Sequence, residues 1–243
     1  MTIQELKQRY WLWRENLGPT IGRFIFRWTH FGDACQCNLC GWKGSKWYTL
    51  QYGPAQAANV CSVCLGHSRH RLTMLAMLER SIPPNGARVL HVAPKNEFRF
   101  ERFFRQRAKT YTSIDVEEGM AMLQMDLLDL KFADGSFDFI SCCHVLEHIA
   151  DDQRAIQELY RVLAPNGIAF LQVPIYGEHS EPVQVPRADD DFHVWHPGKD
   201  YHQRYFSAGF QVEDLSCKVW PTDKVDALGL MRHEDLALCK KAV

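Results

Sequence analysis

The stretch that decides the fold starts with Val89-Leu-His-Val92, a short apolar run that predicts a buried strand. Three more strand-like runs follow it along the chain: Tyr111-Thr-Ser-Ile114, Met120 to Met125 and Phe137-Asp-Phe-Ile-Ser-Cys-Cys143. The residues between the first two runs, Glu97 to Lys109, have a helical composition. Strands that alternate with helices of this length predict a parallel sheet with helices on both faces.

The alternation continues towards the C-terminus. Asp151 to Leu163 predicts a helix, because acidic residues stand at its start and apolar side chains recur on one face. Pro165-Asn-Gly167 ends this helix, and Ile168 to Val173 predicts a fifth strand. Two further strand-like runs, Phe210 to Val219 and Glu234 to Lys240, complete the pattern.

The composition of the chain argues against several classes of protein. Its 243 residues include 28 Lys and Arg and 29 Asp and Glu, which gives a formal net charge of −1. A near-neutral chain does not grip nucleic acid by bulk charge, so we do not expect a nucleic-acid partner. The sequence also has no uninterrupted apolar run of the roughly 18–20 residues that a membrane span needs. We therefore expect a cytoplasmic, globular protein.

Four of the nine cysteines form two tight pairs, Cys37-Asn-Leu-Cys40 and Cys61-Ser-Val-Cys64. Two thiolates separated by two residues reach one ion from a single turn, and two such knuckles complete a tetrahedron. The spacing predicts a structural zinc ion held by all four sulfurs. Cys35 and His67 are near enough in sequence to replace one ligand. A redox-active set of thiols is the alternative.

The motifs divide the chain into four parts. We expect an amphipathic, aromatic and basic helical arm over residues 1–34, the zinc module over 35–66, a linking helix over 67–86 and the α/β domain over 87–243. Aromatic and basic side chains at helical spacing could hold residues 1–31 on an anionic membrane surface or against a second copy of the chain. Packing of this arm on the rest of the protein is the alternative.

Polar residues follow the predicted strands where an open parallel sheet binds its ligands, beyond the carboxyl ends. These positions are His91 to Asn96, Asp115, Asp126 and Cys143 to His148. A carboxylate after the second strand can accept hydrogen bonds from both hydroxyls of a ribose, and one after the third can accept from an exocyclic amine. The pattern indicates a cofactor that contains adenosine.

Several motifs of the α/β domain carry a resemblance to a known family. They are Asp115, Asp126, Phe137-Asp138, Val145-Leu-Glu-His148, Leu159-Tyr-Arg-Val-Leu-Ala-Pro-Asn-Gly167 and Leu171-Gln-Val-Pro174. Together they resemble the core of class I S-adenosylmethionine-dependent methyltransferases. Within this family, a bacterial subgroup has a cysteine-paired front end and an L-H-x-A-P turn. The chain resembles this subgroup in its paired cysteines, in Arg69-His-Arg71, in Leu90-His-Val-Ala-Pro94 and in Tyr201.

The resemblance covers about residues 35–240 and implies a Rossmann-like, mostly parallel seven-stranded sheet with a small N-terminal zinc-knuckle or ribbon module. S-adenosyl-L-methionine is the implied cofactor. The implied cofactor-binding residues are His91, Ala93 and Pro94 at the methionine end, Asp115 at the ribose, Asp126 and Leu127 at the adenine, and His144 beside the methyl group. Most of the family has a glycine-rich turn where this chain has none, so we expect a variant cofactor turn, with a non-catalytic relative as the alternative.

Three histidines compete for a catalytic role: His144, His148 and His193. His144 and His148 flank Glu147 and are spaced to share a helical face, so the pair could hold a proton. The resemblance also implies that Glu147 and His148 could hold a second divalent metal, because some methyltransferases that bind vicinal hydroxyls use a Glu-His pair at this place. Structural hydrogen bonds to nearby loops are the alternative. His193, with His196, lies in the insert between the fifth and sixth strands, which often covers the acceptor in this family.

We expect a methyltransferase that acts on an oxygen or nitrogen of a small-molecule or saccharide acceptor. A second hypothesis is an RNA or protein methyltransferase that uses the zinc module for recognition. A third is a non-catalytic, zinc-bearing interaction protein with a degenerate methyltransferase fold. Arg69 and Arg71 stand at a helix start and could bind a carboxylate or phosphate of the acceptor, with a solvated basic surface as the alternative.

Overall fold

The computed structural model describes residues 18–52, 56–94, 97–186, 192–231 and 234–242. The chain forms two compact units. The cysteine unit comprises the residues up to Arg71 together with Pro221–Met231, and the sheet unit comprises Leu72–Trp220 with Arg232–Val243. The chain returns to the cysteine unit at Pro221, so this unit is built from two separate segments of the sequence. The helix predicted before Gly18 lies outside the described residues.

The cysteine unit is built from short antiparallel strand pairs. Its elements are α1 (Gly18–Thr29), β1 (Cys35–Gln36), β2 (Lys43–Gly44), β3 (Tyr48–Tyr52), β4 (Gln56–Val60) and the first turn of α2 (Ser68–Arg80). β1 pairs with β2, and β3 pairs with β4. A strand therefore ends directly before each cysteine pair, at Gln36 and at Val60.

The sheet unit contains the remaining strands. They are β5 (Arg88–Val92), β6 (Thr110–Asp115), β7 (Leu123–Gln124), β8 (Phe137–Cys143), β9 (Leu163–Gln172), β10 (Glu181–Pro182), β11 (Trp195–His196), β12 (Phe210–Asp214) and β13 (Ala237–Lys241). Its helices are α3 (Phe98–Arg105), α4 (Asp152–Val162) and α5 (His202–Ser207). The last helix, α6 (Thr222–Ala227), belongs to the cysteine unit.

Seven of these strands form one sheet in the order β12-β13-β9-β8-β5-β6-β7. The five from β9 to β7 are parallel, and β13 is antiparallel to both of its neighbours. This arrangement confirms the predicted Rossmann-like, mostly parallel seven-stranded sheet. The chain order reverses between β5 and β8, and ligands of open sheets bind at such a reversal.

Burial explains why these segments form the centre of the sheet unit. Val89, Leu90 and Val92 of β5 are buried, as expected of a strand covered on both faces. Helix α4 buries the apolar face predicted from its sequence, and the Asp151 side chain caps it by accepting a hydrogen bond from the backbone N–H of Arg154. The predicted helix and its cap are thus confirmed.

The edges of the sheet differ from the sequence prediction. The run from Met120 to Met125 contributes only Leu123–Gln124, a short edge strand that bonds to one neighbour and exposes both side chains. The run from Phe210 to Val219 stops being a strand at Asp214, because the Asp214 carboxylate accepts a hydrogen bond from Ser216 N at 2.7 Å. This local bond turns the chain into a short 3₁₀ segment, Cys217–Val219.

The aromatic arm is represented by α1, which exposes Phe24, Ile25 and Trp28, and by the exposed Phe31 just beyond it. Arg27 stands over the Trp28 ring, 5.8 Å from its centroid. Within the described part of the chain, no helix combines the length and apolarity needed to cross a membrane. The predicted contact of residues 1–31 with a membrane surface or a second copy stays a prediction.

Candidate functional site

The two strands at the reversal of chain order both end in a residue with left-handed backbone. Ala93 follows β5 with φ 47°, and His144 follows β8 with φ 54°. Such a conformation costs an L-residue about 1–3 kcal/mol. Ala93 N donates to Ile114 O, and His144 N donates to Gln172 O, each at 2.8 Å, so backbone hydrogen bonds hold both conformations. The glycine-free turn therefore adopts, with an alanine, a conformation that glycine usually supplies.

His91 lies behind the turn that it was predicted to line. Its side chain is fully buried, with Nε2 at 2.7 Å from Glu97 Oε2 and Nδ1 at 3.0 Å from the Tyr111 hydroxyl. Burial raises the pKa of Tyr111 to about 12, so this phenol stays protonated at neutral pH and can donate to Nδ1. Nε2–H is then left to donate to Glu97. The position therefore supports the turn from inside the sheet unit.

The residues predicted to bind adenosine stand at neighbouring strand ends. Asp115 ends β6 and is largely buried, and its Oδ1 accepts from Glu117 N at 2.8 Å. Asp126 follows β7 and is exposed, and its Oδ1 accepts from Leu128 N at 2.9 Å. The two acidic loops are adjacent, because β6 pairs with β7. Leu127 differs from its neighbours, since its side chain is buried in the apolar core.

The three candidate catalytic histidines come together at the end of β8. The possible ligand atoms of Glu147, His148 and His193 all lie within 4.8 Å of one another. His144 Nδ1 lies 3.2 Å from Glu147 Oε1. Val194 N donates to Glu147 O at 2.9 Å, which holds the insert that carries His193 against the turn that carries Glu147. The structure thus brings residues from two distant motifs to one place.

Glu147 is the unusual member of this group, because its carboxylate is fully buried. Neither oxygen accepts a hydrogen bond of ordinary geometry from the described residues. Burial raises the pKa of this carboxyl, but the contact and charge of His144 outweigh burial and leave the pKa below its usual value. A buried carboxylate is costly without compensation, and here the nearby imidazole of His144 supplies it.

A cavity of about 400 Å³ opens beside the insert. Its lining includes Tyr176, Lys199, His202 and Asp235. His202 Nε2 lies 2.8 Å from Asp235 Oδ2; burial lowers the pKa of His202, but this hydrogen bond outweighs burial and raises the pKa overall. No sequence motif identifies these residues, because they come from separate loops. The volume suits a small molecule.

The cysteine unit gathers the four predicted zinc ligands. The Sγ atoms of Cys37 and Cys64 are 3.7 Å apart, and those of Cys40 and Cys61 are 3.6 Å apart. Four sulfurs at about 2.3 Å from one zinc ion are separated by about 3.8 Å. Hydrogen bonds from Cys37 hold the pKa of Cys40 far below its usual value and bring that of Cys61 to about 7. The same contacts raise the pKa of Cys37. Contact with Cys37 lowers the pKa of Cys64, but contacts with Cys40 and Cys61 together with burial raise it overall. The spacing of the four sulfurs is therefore the feature that fits a zinc site.

The two cysteine knuckles repeat one backbone conformation. Gly41 N donates to Cys37 O at 2.8 Å, and Leu65 N donates to Cys61 O at 2.9 Å. The residue after the second cysteine is left-handed in both knuckles, with φ 77° at Gly41 and 59° at Leu65. Val63 N also donates to the Cys61 sulfur at 3.4 Å. A backbone N–H that donates to a sulfur in this way fixes the direction of the thiolate, which fits a metal-binding turn.

Arg71 does not face solvent, and its guanidinium is fully buried. It donates to four backbone carbonyl oxygens: Leu228 at 2.5 Å, Gly66 at 2.7 Å, and Asn59 and Gly229 at 3.0 Å. It also stands over the Trp47 ring, 3.9 Å from the centroid. The hypothesis that Arg71 binds an acidic group of an acceptor is therefore wrong, because its donors hold the cysteine unit together.

Comparison with known sequences agrees with the fold of the sheet unit. Residues 85–171, about a third of the chain, match a family model described as a methyltransferase domain. Over 53 residues, the chain is 43% identical to the demethylmenaquinone methyltransferase of Thermus thermophilus. The matched segment makes up 21% of this chain and 24% of that protein. The chain thus spans about a quarter of the length of the curated relatives that it matches.

Two solved structures share the fold at low sequence identity. An S-adenosylmethionine-dependent methyltransferase from Mesorhizobium loti has a TM-score of 0.54 at 16% identity, over 70% of this chain and 98% of its own. The second is the 1,6-didemethyltoxoflavin-N1-methyltransferase of Burkholderia thailandensis, solved with 1,6-didemethyltoxoflavin and S-adenosylhomocysteine. It has a TM-score of 0.52 at 12% identity, and the match covers 72% of this chain and 79% of that chain. The sheet unit therefore has a methyltransferase fold.

Proposed function

We propose that the sheet unit transfers a methyl group from S-adenosyl-L-methionine to an oxygen or nitrogen of a small-molecule or saccharide acceptor. The observation that carries this proposal is the glycine-like turn at Ala93 beside the carboxylate of Asp115. These residues directly follow Val92 and Ile114, which are paired in register on β5 and β6. The methyltransferase-domain match over residues 85–171 covers both.

The proposed roles of the cofactor residues follow the resemblance. Asp115 would accept from the ribose hydroxyls, and Asp126 would accept from the adenine amine beside Leu127. The backbone at Ala93 and Pro94 would flank the methionine portion. The cofactor supplies a methyl group that is already electrophilic on its sulfonium. The protein therefore acts mainly by alignment, which can contribute about 7–11 kcal/mol of the barrier.

We assign the role of base to His144 when the acceptor is a hydroxyl. Its Nδ1 faces Glu147, and its Nε2 is buried without a hydrogen-bond partner among the described residues. A histidine held on one nitrogen by a carboxylate can take a proton on the other at neutral pH. The cavity lined by Tyr176 and His202 has the size for the acceptor itself.

We also propose that Cys37, Cys40, Cys61 and Cys64 hold a structural zinc ion. The sulfur spacing and the repeated knuckle conformation support this assignment. Four sulfur ligands leave no open coordination position, so the ion would stabilise the cysteine unit and take no part in methyl transfer.

Calorimetry with S-adenosylmethionine tests the enzymatic proposal. We expect the full-length chain to bind the cofactor, and Asp115→Ala to weaken binding by about 1–3 kcal/mol, or roughly 5- to 150-fold. Asp129→Ala is the matched control, because Asp129 is an exposed aspartate three residues beyond Asp126. Unchanged affinity in Asp115→Ala would contradict the ribose assignment.

The same titration separates the other hypotheses. Failure of the native chain to bind at millimolar cofactor would favour the non-catalytic, zinc-bearing interaction protein. Cofactor binding combined with strongly salt-dependent RNA binding would favour the RNA methyltransferase. Methylation of a protein by a chain that binds cofactor would favour the protein methyltransferase.

A further inference from the structure

We propose that Glu147, His148 and His193 hold a divalent metal ion at the end of β8. Their ligand atoms lie within 4.8 Å of one another. Ligands at about 2.2 Å from one ion are at most about 4.4 Å apart, so a small movement of a side chain closes the site. Two imidazoles and one carboxylate are a recurrent ligand set for first-row divalent metals.

The buried carboxylate of Glu147 is the second observation that points to a cation. The side chain is fully buried, and neither oxygen accepts a hydrogen bond of ordinary geometry from the described residues. His144 Nδ1 lies 3.2 Å from Oε1, and Oε2 accepts no hydrogen bond of ordinary geometry from the described residues. An ion coordinated by this carboxylate would remove the cost of burying it.

His193 is oriented in the way that metal-binding histidines usually are. Its Nδ1 lies 3.0 Å from the Tyr176 hydroxyl, and the ring is buried. A hydrogen bond on one ring nitrogen is what usually fixes the orientation of a metal-binding histidine ring. The ring centroids of His148 and His193 are 4.7 Å apart, so the second histidine is close by.

The insert that carries His193 is held at this position by its backbone. Val194 N donates to Glu147 O at 2.9 Å, and the Trp195 indole donates to Ala150 O at 3.3 Å. β10 and β11 pair antiparallel within the same insert. The three ligands therefore sit on segments fixed to one another, as a preorganised site requires.

Three protein ligands leave coordination positions open, as in catalytic metal sites. An oxygen or nitrogen of the acceptor could fill one of these positions and be held close to the end of β8. This role towards the acceptor rests on the proposed function, whereas binding of the ion does not.

Titration of the zinc-loaded, full-length chain with Mn²⁺ and, separately, with Co²⁺ tests the inference. Oxygen and imidazole ligands suit both ions, whereas thiolates retain zinc, so the cysteine site does not compete. We expect one equivalent of at least one ion to bind, as measured by calorimetry and by the paramagnetic resonance of Mn²⁺. Glu147→Gln or His193→Ala should weaken binding by about 100-fold or more, and Tyr176→Phe by about 10-fold.

His179→Ala is the matched control, because His179 belongs to the same insert but is exposed and pairs with Asp200 at 3.5 Å. Circular dichroism and zinc content verify that each variant is folded. Absence of one-to-one binding of either ion up to millimolar concentration would overturn the inference, and so would unchanged affinity in Glu147→Gln and His193→Ala. S-adenosylmethionine binding without ion binding would remove only this site, and ion binding without cofactor binding would remove only the proposed methyl transfer.

Discussion

The two units of this chain are stabilised in different ways. The core of the sheet unit is a continuous set of aliphatic and aromatic side chains that includes Leu90, Ile140, Leu159 and Phe210. The buried cluster of the cysteine unit consists of cysteines and Trp47, and Arg71 binds backbone carbonyl oxygens beside it. A small unit cannot gain enough from apolar burial alone, so it depends on a few strong polar groups.

This difference has a consequence for mutations. Loss of one contact in a large apolar core removes a small share of its stability. Loss of one metal ligand or of one buried cation in a small unit leaves several buried polar groups without partners. We therefore expect large effects of single changes in the cysteine unit and modest effects of polar changes in the sheet unit.

Removal of zinc is expected to have the largest effect. Structural zinc sites contribute on the order of 10 kcal/mol, so a strong chelator should abolish amide protection throughout the cysteine unit while the sheet unit keeps its protection. Hydrogen–deuterium exchange resolved by mass spectrometry measures both units in one sample. Cys61→Ser should reproduce the effect of the chelator, whereas Cys35→Ser, at a buried cysteine outside the cluster of four, should retain zinc. Equal protection with and without chelator would contradict the zinc assignment.

Arg71→Met should destabilise the cysteine unit by about 3–5 kcal/mol, because the carbonyl oxygens of Gly66, Leu228 and Gly229 lose a buried donor. Chemical unfolding followed by exchange in this unit measures the loss. Arg69→Met, two residues earlier and only half-buried, should cost less than about 1 kcal/mol. Similar losses in the two variants would mean that the buried guanidinium has no special role.

Glu158→Gln should destabilise the sheet unit by about 1–2 kcal/mol at pH 7. The hydrogen bond from Arg161 holds the pKa of Glu158 in the folded protein below its usual value. The ionised Glu158 therefore stabilises the sheet unit fully above the unfolded-state pKa of about 4.3, and this stabilisation is lost as the pH falls through the folded-state pKa. Urea unfolding at pH 7 and below pH 4 should therefore show a difference that shrinks in acid. Glu213→Gln, in the exposed pair with Arg80, should have almost no effect at either pH.

The smallest expected effects concern the two knuckles. Leu65→Gly should stabilise the cysteine unit by about 0.5–1 kcal/mol, because φ is 59° at this position. Gly41→Ala should destabilise it by about 1 kcal/mol through backbone conformation alone, since an added Cβ would meet no atom within 4 Å. Thermal unfolding of the zinc-loaded chain compares the two. Effects of the same sign would show that the knuckles are not conformationally equivalent.

Much of the fold could be predicted from the sequence, because it depends on local patterns. The apolar runs predicted β5, β6, β8 and β9, and the acidic start and apolar face predicted α4. The spacing of the cysteine pairs predicted a cluster that the structure brings together. Each of these signals lies within a few residues, so one sequence is sufficient to read it.

The remaining features depend on contacts between distant segments. His91 was predicted to line the cofactor turn, but its partners Glu97 and Tyr111 are set by the pairing of β5 with β6 and by the start of α3. His193 reaches Glu147 because the insert folds back onto the turn that follows β8. No periodicity or motif encodes such returns, so the sequence indicated candidate residues without their partners.

Arg71 also has a consequence for the order in which this protein is completed. Its side chain bonds to the carbonyl of Leu228, a residue 157 positions later in the chain. At about 5–20 residues per second, a ribosome needs roughly 10 to 30 s to synthesise the intervening chain. During that interval the nascent guanidinium lacks two of its four acceptors, the carbonyl oxygens of Leu228 and Gly229, so the cysteine unit reaches its mature form only after the chain has been translated as far as Gly229.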